Sequence, residues 1–419
     1  MNRNRRLSQE MNQTVKAVAG QSRFSLDIRP LQMSSRYQGT GVYCYNLVRQ
    51  LMSIDEANEY LLFQRGHKPW RELSCPPNFR PFFVRRFYDQ DQRFLPLLDQ
   101  VLTPWDLSSV RPHLHHALSI HYCCWRLPCP TVVTILDLIP LLYREHYMKT
   151  GLKHRMLYRF ARKADHILTI SEHSRWDIHR LLGIPMEKIT VTYLAADERF
   201  QRVEDPAKVA KVVRKYGIQG PYILYAGGFT KMDPRKNVEQ LVDVYGELSR
   251  QGFQQYQLVL AGKHGDYSRV LMKKMDRANS RAGVVFTDHL EHDELPLLYN
   301  GARCFVFPSS YEGFGMPPLE AISCGTPTIA YRNSSLPEVL GDAGILIEEQ
   351  DPRQLLEAIR TLLTRDDLVQ ELRTRGIQQA KKFSWEESAR RTLAVYQEVC
   401  SRTQGGERRL PDTPRRHGS

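Results

Sequence analysis

The feature that most constrains this chain is an alternation. Short β-branched or apolar runs, each followed by turn residues and an amphipathic segment, recur along nearly its whole length. Parallel neighbours cannot be joined by a tight turn and need a crossover, so this rhythm is the signature of parallel sheets covered by helices. A first series of runs lies at 24–28, 60–63, 131–138, 166–171 and 189–194. A second lies at 222–228, 257–262, 284–288, 304–309, 326–331 and 344–349. The polar stretch AADERFQRVEDPAKV, around Asp197 to Pro206, interrupts the pattern between them. The expectation is an α/β chain of two Rossmann-like halves, 23–200 and 201–385, followed by a helix over 386–402. The polar, aperiodic ends 1–22 and 403–419 are expected to be disordered. No internal repeat points to a solenoid.

Composition fits a globular protein, with 42% hydrophobic and 25% charged residues. No run of about 18 apolar residues occurs, which excludes a spanning helix. The opening MNRNRRLSQEMNQTVKAVAG also lacks the apolar stretch of a signal peptide, so the chain is expected in the cytoplasm. Eight cysteines in a chain this size make no disulfide scaffold, and single thiols such as Cys304 and Cys324 read as reduced core residues. The net charge of +13 is uneven: residues 1–200 hold 28 Lys/Arg against 18 Asp/Glu, and residues 201–419 hold 31 against 28. A basic face attracts phosphates, acidic glycans, nucleic acid or an anionic membrane.

Ligands of open parallel sheets bind beyond the carboxyl ends of the strands, which directs attention to three loops. In YEGFGMPPLEAISCGTP, Pro317 and Pro318 suit the first turn of a helix and Gly325 its C′ position. Gly313 and Gly315 leave backbone N–H groups free to approach an anion at the positive helix end. Glu312 and Glu320 flank this cradle, and carboxylates accept hydrogen bonds from sugar or ribose hydroxyls. In AGGFTKMDPRKNVEQL, Asp233 and Pro234 read as N-cap and first helical residue. Arg235 and Lys236 then stand in the opening turn, where cations are unfavourable unless an anion such as a diphosphate faces them and Gly228. In SSRYQGTGVYCYNL, Gly39 and Gly41 enter a helix after the first strand.

The glutamate, seven residues, glutamate spacing within EGFGMPPLEAISCGTPTIA resembles the signature of retaining glycosyltransferase family 4, which has the GT-B fold. PSSYEGFG and SSLPEVLGDAGILI match the family pattern too, and the resemblance runs from about Phe24 to about Cys400. It implies an N-terminal acceptor domain, a C-terminal donor domain and a last helix that crosses back to the first domain. It also implies transfer of a hexose from a nucleotide-diphosphate sugar with retained configuration, without a metal or other cofactor. By that resemblance Glu320 binds the donor ribose, Glu312 the sugar hydroxyls, and the backbone at Phe314, Gly315 and Met316 the sugar and phosphates. Lys236 stands where the family has a phosphate-binding lysine, and Gly39 and Gly41 where it has a glycine-rich loop that faces the donor phosphates and the acceptor, so both glycines are expected to bind the donor. The family often has arginine after the glycine pair; here that residue is Phe229, with Lys231 as a substitute. In TILDLIP the family's histidine is replaced by Leu136, which cannot donate a hydrogen bond, and Asp137 follows as an acceptor-side catalytic candidate or a turn cap. The PRKN and FSWEESARRTLAVY segments are similar to mannosyltransferases of surface-polysaccharide assembly, which favours GDP-mannose as donor.

Asp89-Gln90-Asp91 spells the aspartate pair of metal-dependent transferases of another fold, but it lies in a strand-poor stretch and reads as coincidence. The cluster HLHHALSIHYCCWRLPC matches no zinc spacing. In GLKHRMLYRFARKADHI an apolar stripe shares a helix with five cations, reading as a core-packed helix with a basic face or as contact with anionic lipid. Two other readings stay open: a sugar-nucleotide epimerase of the same fold, and a basic nucleic-acid-binding protein, although interleaved aromatic platforms are lacking. The surplus charge of the first half makes an anionic acceptor, a lipid-linked glycan or the inner membrane face the expected partner there.

Overall fold

A computed structural model describes residues 21–404 apart from 34–35, 37–38, 66–69, 71–73, 85–94, 148–150, 278–280 and 292. The Asp89-Gln90-Asp91 stretch and most of both expected tails lie outside the described residues. The chain divides into two compact units. One holds the described residues up to Ile170, Arg175–Thr192 and those from Trp385 onward; the other holds Ser171–Ser174 and Tyr193–Ser384.

The division at Thr192 precedes the expected boundary at 200, because the polar stretch is tied into the second unit. Phe200 is buried against Tyr299, with ring centroids 6.1 Å apart. Asn300 Nδ2 donates to Gln201 O (2.9 Å), and its Oδ1 accepts from Val203 N (2.8 Å).

The first unit is a seven-stranded parallel sheet in the order β3-β2-β1-β4-β5-β6-β7. Its strands are β1 (Arg23–Asp27), β2 (Glu59–Arg65), β3 (Phe79–Val84), β4 (Leu114–Ala117), β5 (Thr131–Thr134), β6 (His166–Thr169) and β7 (Ile189–Val191). Helices α1 (Gly39–Ile54), α2 (Leu95–Val110), α3 (Gly151–Ala161) and α4 (Glu172–Leu182) connect them. Two strands escape the sequence pattern. In β3, FRPFFV, Pro81 cannot donate to a ladder, and the strand is accordingly at the sheet edge. In β4, LHHA, two histidines break the apolar run although the strand is central.

Those histidines are paired inside the core. His115 Nδ1 meets Ser25 Oγ at 3.0 Å, and His116 lies between Thr134 Oγ1 (2.8 Å) and Tyr396 Oη (2.5 Å). Burial pushes His116 down to about 3, so it stays neutral. Tyr396 belongs to the C-terminal helix Trp385–Gln404, which packs on the first unit as the resemblance implies; its ring also lies 5.0 Å from Phe24.

The second unit is a six-stranded parallel sheet in the order β10-β9-β8-β11-β12-β13. Its strands are β8 (Tyr222–Ala226), β9 (Gln257–Ala261), β10 (Val284–Phe286), β11 (Cys304–Phe307), β12 (Thr328–Tyr331) and β13 (Gly344–Ile347). Central strands such as β11, CFVF, are buried throughout because helices cover both faces. The helices are α5 (Pro206–Lys215), α6 (Val238–Arg250), α7 (Asp266–Arg277), α8 (Leu295–Gly301), α9 (Met316–Ser323), α10 (Leu336–Leu340), α11 (Pro352–Thr364) and α12 (Asp366–Ala380). The chain runs from β8 outward to β9 and β10, then returns to place β11 on the other side of β8. The gap between the carboxyl ends of β8 and β11 is therefore the switch point where an open α/β sheet binds its ligand.

Candidate functional site

The loop leaving β8 begins with two glycines in different settings. A Cβ on Gly227 would stand 2.7 Å from Tyr225 Oη, whereas Gly228 is exposed and opens on free space. Phe229, where arginine is common in the resembling family, is wholly buried against Tyr225 and Phe286, each at 5.8 Å. It belongs to the core. Lys231 is exposed on the same loop.

Asp233 caps a single 3-10 turn, Pro234–Lys236, by accepting from Arg235 N at 3.2 Å. The continuous helix expected from Pro234 is interrupted at Asn237, which is left-handed (φ 47°), and α6 starts after it. The neighbouring cations then separate in role. Arg235, expected to face a diphosphate, is buried. Its Nε and Nη2 donate to Asp233 (3.1 and 2.6 Å) and its Nη1 to Tyr311 O (2.9 Å). A buried guanidinium must be met by acceptors, and these three bonds turn it into a brace of the loop. Lys236 instead forms an ion pair with the Glu312 carboxylate, its Nζ 5.0 Å from the Phe307 ring centre.

The turn after β8 is fastened to the loop after β11. Ser310 N donates to Arg235 O (2.7 Å), and Asn237 Nδ2 donates to Pro308 O (2.9 Å) and Ser310 Oγ (2.7 Å). Glu312 also accepts from Ser309 Oγ at 2.6 Å. Three successive carbonyls of the glycine loop are taken up by serine hydroxyls. Ser335 Oγ reaches Glu312 O (3.0 Å) and Phe314 O (2.6 Å), while Ser171 Oγ and Ser174 Oγ reach Gly313 O (2.7 and 3.2 Å). Glu338 accepts from the N–H groups of Glu172 and His173 (2.8 and 2.7 Å), which fixes the segment carrying those serines, and burial pushes its carboxyl up.

Helix α9 then begins at Met316, one residue before the expected Pro317. Its N-cap, Gly315, has φ 105° and no side chain to cap the first N–H groups. A Cβ there would lie 2.8 Å from Leu336 Cδ2, so a side chain would also displace that leucine. The Phe314 ring packs on Tyr193 (6.2 Å) and Phe383 (5.6 Å), leaving only its backbone for a ligand. Met316 is half-buried. Glu320, one turn into α9, has separate surroundings from Glu312: Tyr299 Oη donates to it at 3.4 Å, and Arg199 acts on it electrostatically. Burial pushes its carboxyl up to about 8 against both influences.

The remaining expected residues lie in the first unit. A Cβ on Gly41 would be 2.1 Å from Arg36 O, a close approach that only glycine allows, whereas Gly39 faces open space at the start of α1. Asp137 Oδ1 accepts from Ile139 N at 3.0 Å and caps the one-turn helix Ile139–Leu142, the second of its two sequence readings. All eight cysteines are free thiols; six are buried, Cys129 is half-buried and Cys75 is exposed. Among the described residues no group of three or more His, Cys, Asp or Glu side chains is arranged to hold a metal ion.

With this geometry in place, two family models match the chain. "Glycosyl transferases group 1" covers residues 210–383 and "Glycosyltransferase Family 4" covers residues 37–200. The O-antigen chain mannosyltransferase B of Escherichia coli is 35% identical over 297 residues, 70% of this chain and 76% of the relative. The chain belongs to the family 4 glycosyltransferases. The serotype-specific mannosyltransferase WbdA of Escherichia coli is 31% identical over 66% of this chain, which spans about a third (34%) of WbdA.

Solved structures show the same GT-B fold. Sucrose-phosphate synthase of Thermosynechococcus elongatus superimposes with a TM-score of 0.72 at 19% identity, over 91% of this chain and 100% of that one. Anabaena HepE, solved with UDP and glucose, gives 0.67 at 16%, over 90% of this chain and 100% of its own. The protein is therefore a GT-B glycosyltransferase. Sequence reasoning missed the fastening residues Asn237, Ser309, Ser335, Ser171 and Ser174. The matching segments PRKN, PSSYEGFG and SSLPEVLGDAGILI contain Asn237, Ser309 and Ser335 without marking their role, and no motif pointed to Ser171 or Ser174.

Proposed function

We propose that this glycosyltransferase moves mannose, with retention, from GDP-mannose to a glycan or lipid-linked glycan of surface-polysaccharide assembly. The observation that carries the reading is the meeting of Lys236 with Glu312 at the β8/β11 switch point, one cation and one carboxylate on loops from two strands. A nucleotide sugar presents a diphosphate and sugar hydroxyls to such a pair. Lys236, with Lys231 and the uncapped N-terminus of α9, meets charge as it develops on the leaving diphosphate. Glu312 accepts from the sugar hydroxyls and Glu320 from the ribose, while the acceptor hydroxyl attacks from the leaving-group face. Gly228 lets the donor approach the protein backbone closely. Gly39 and Gly41 keep the donor-phosphate role that the resemblance implies, and Asp137, behind its turn, is assigned to the acceptor side.

Mannose is supported by the relatives named mannosyltransferases, and the guanine base is assigned as the usual nucleotide partner of that sugar. Those transferase relatives give no support to the epimerase or nucleic-acid readings. No described helix is long and apolar enough to cross a membrane, and access to a lipid-linked acceptor would come from peripheral contact. Thermal shift with GDP, GDP-mannose, UDP and UDP-glucose tests the donor, because a ligand that binds only the native state raises its melting point. GDP and GDP-mannose should raise it. A response to UDP compounds alone would overturn the guanine assignment, and no response to any would overturn the donor site.

A further inference from the structure

Helix α2 buries Leu107 on its inner side yet also carries apolar side chains outward. Leu98, Val101 and Trp105, at i, i+3 and i+7, form one outward stripe and are 45%, 68% and 58% exposed. Its buried side holds Asp99, Thr103 and Asp106, and Asp99 is paired with Arg29 at 3.2 Å. The apolar stripe adjoins a second exposed aromatic. Gln100 of α2 donates to Cys123 O (3.3 Å) and accepts from Trp125 N (2.7 Å), and Trp125 is 44% exposed. The Trp125 ring packs on Phe160 of α3 at 5.3 Å and lies 5.5 Å from Lys163 Nζ. Arg155, Arg159, Arg162 and Lys163 are all exposed on α3 and the turn after it, and residues 151–163 contain no acidic side chain. Gln100 thus ties the segment of Trp125 to α2, and Trp125 in turn lies beside the cations of α3 and the turn after it.

We propose that this face docks on an anionic lipid bilayer. Trp105 and Trp125 settle at headgroup level, Leu98 and Val101 enter the acyl boundary, and the α3 cations face lipid phosphates. The charge selects lipid over a second copy of the chain. Two copies meeting on this face would bring their basic rows together, whereas an anionic surface complements them. The proposal goes beyond the donor chemistry and is read without turnover, so either can fail alone.

The test is sedimentation of the full-length protein with vesicles of phosphatidylcholine alone or mixed with phosphatidylglycerol. Binding should appear with the mixed vesicles and fall with salt. Each cation near an anionic surface contributes about 1 kcal/mol, so Arg155→Gln with Arg159→Gln should weaken binding roughly 30-fold. Val101→Ser with Trp105→Ser should abolish it. Both double variants should keep the wild-type circular dichroism spectrum and melting temperature, which shows that they fold. Equal binding to the two vesicle types, or wild-type binding by either folded double variant, overturns the proposal. So does a dimer in sedimentation velocity that Val101→Ser with Trp105→Ser dissolves, since a second copy would then cover the face.

Discussion

Asn237 is the sharpest place to perturb the donor site, because it holds the turn that presents Lys236 without being expected to touch the donor itself. Its Nδ2 makes two short hydrogen bonds, to Pro308 O (2.9 Å) and Ser310 Oγ (2.7 Å), and its backbone is left-handed at φ 47°. Hydrogen bonds of this kind contribute about 1 kcal/mol each, so Asn237→Ala, which keeps the left-handed Cβ that asparagine already carries, should forfeit about 2 kcal/mol. Asn237→Gly loses the same bonds but sheds that Cβ and recovers about 1 kcal/mol. The detached turn then competes with the fastened one, and misplacing a reacting group by about 1 Å costs roughly 100-fold in turnover. Donor turnover should therefore fall by about that factor in the alanine variant and by less in glycine, with urea unfolding following the same order. Wild-type kcat and KM in both variants would refute the claim that this fastening positions Lys236.

Removing the charge groups tests the site directly. Lys236→Ala and Glu320→Ala should each abolish donor turnover in chains that still fold by circular dichroism. Glu320 adds a pH dependence: its carboxyl stands at about 8 in the folded chain against an ordinary 4.5. The native state therefore holds a proton that the unfolded state has released between those values, and stability present below the lower one is lost as pH rises through the higher. Denaturant midpoints measured from pH 4.5 to 8 should fall in wild type and fall less in Glu320→Gln. In the other unit, Tyr396→Phe leaves His116 Nδ1 buried without its hydroxyl partner, and urea unfolding should show a loss of about 1–3 kcal/mol.

Much of the donor loop was legible because its signals are local. Pro317, Pro318 and Gly325 delimit α9 by backbone chemistry alone, and Gly315 was marked by its place before the prolines. The failures share one cause. Arg235 and Lys236 are adjacent in sequence, and their residue types gave no reason to treat them differently. Their roles were decided by Tyr311 O and Glu312, about 76 positions away along the chain. Strand β4 was hidden for the same reason, since a histidine pair reads as polar until Ser25, Thr134 and Tyr396 supply hydrogen-bond partners in the core.

The sequence by itself determined two parallel α/β halves, through the alternation of apolar runs with amphipathic segments. It also determined where a phosphate-accepting helix begins and which two glutamates flank it. Only the tertiary structure decided that β11 returns beside β8, setting Lys236 against Glu312, and that Arg235 and Phe229 turn inward. Periodicity and turn chemistry act over a few residues and can be read in order along the chain. The partner of a buried charge is fixed by strand order, which no short segment contains.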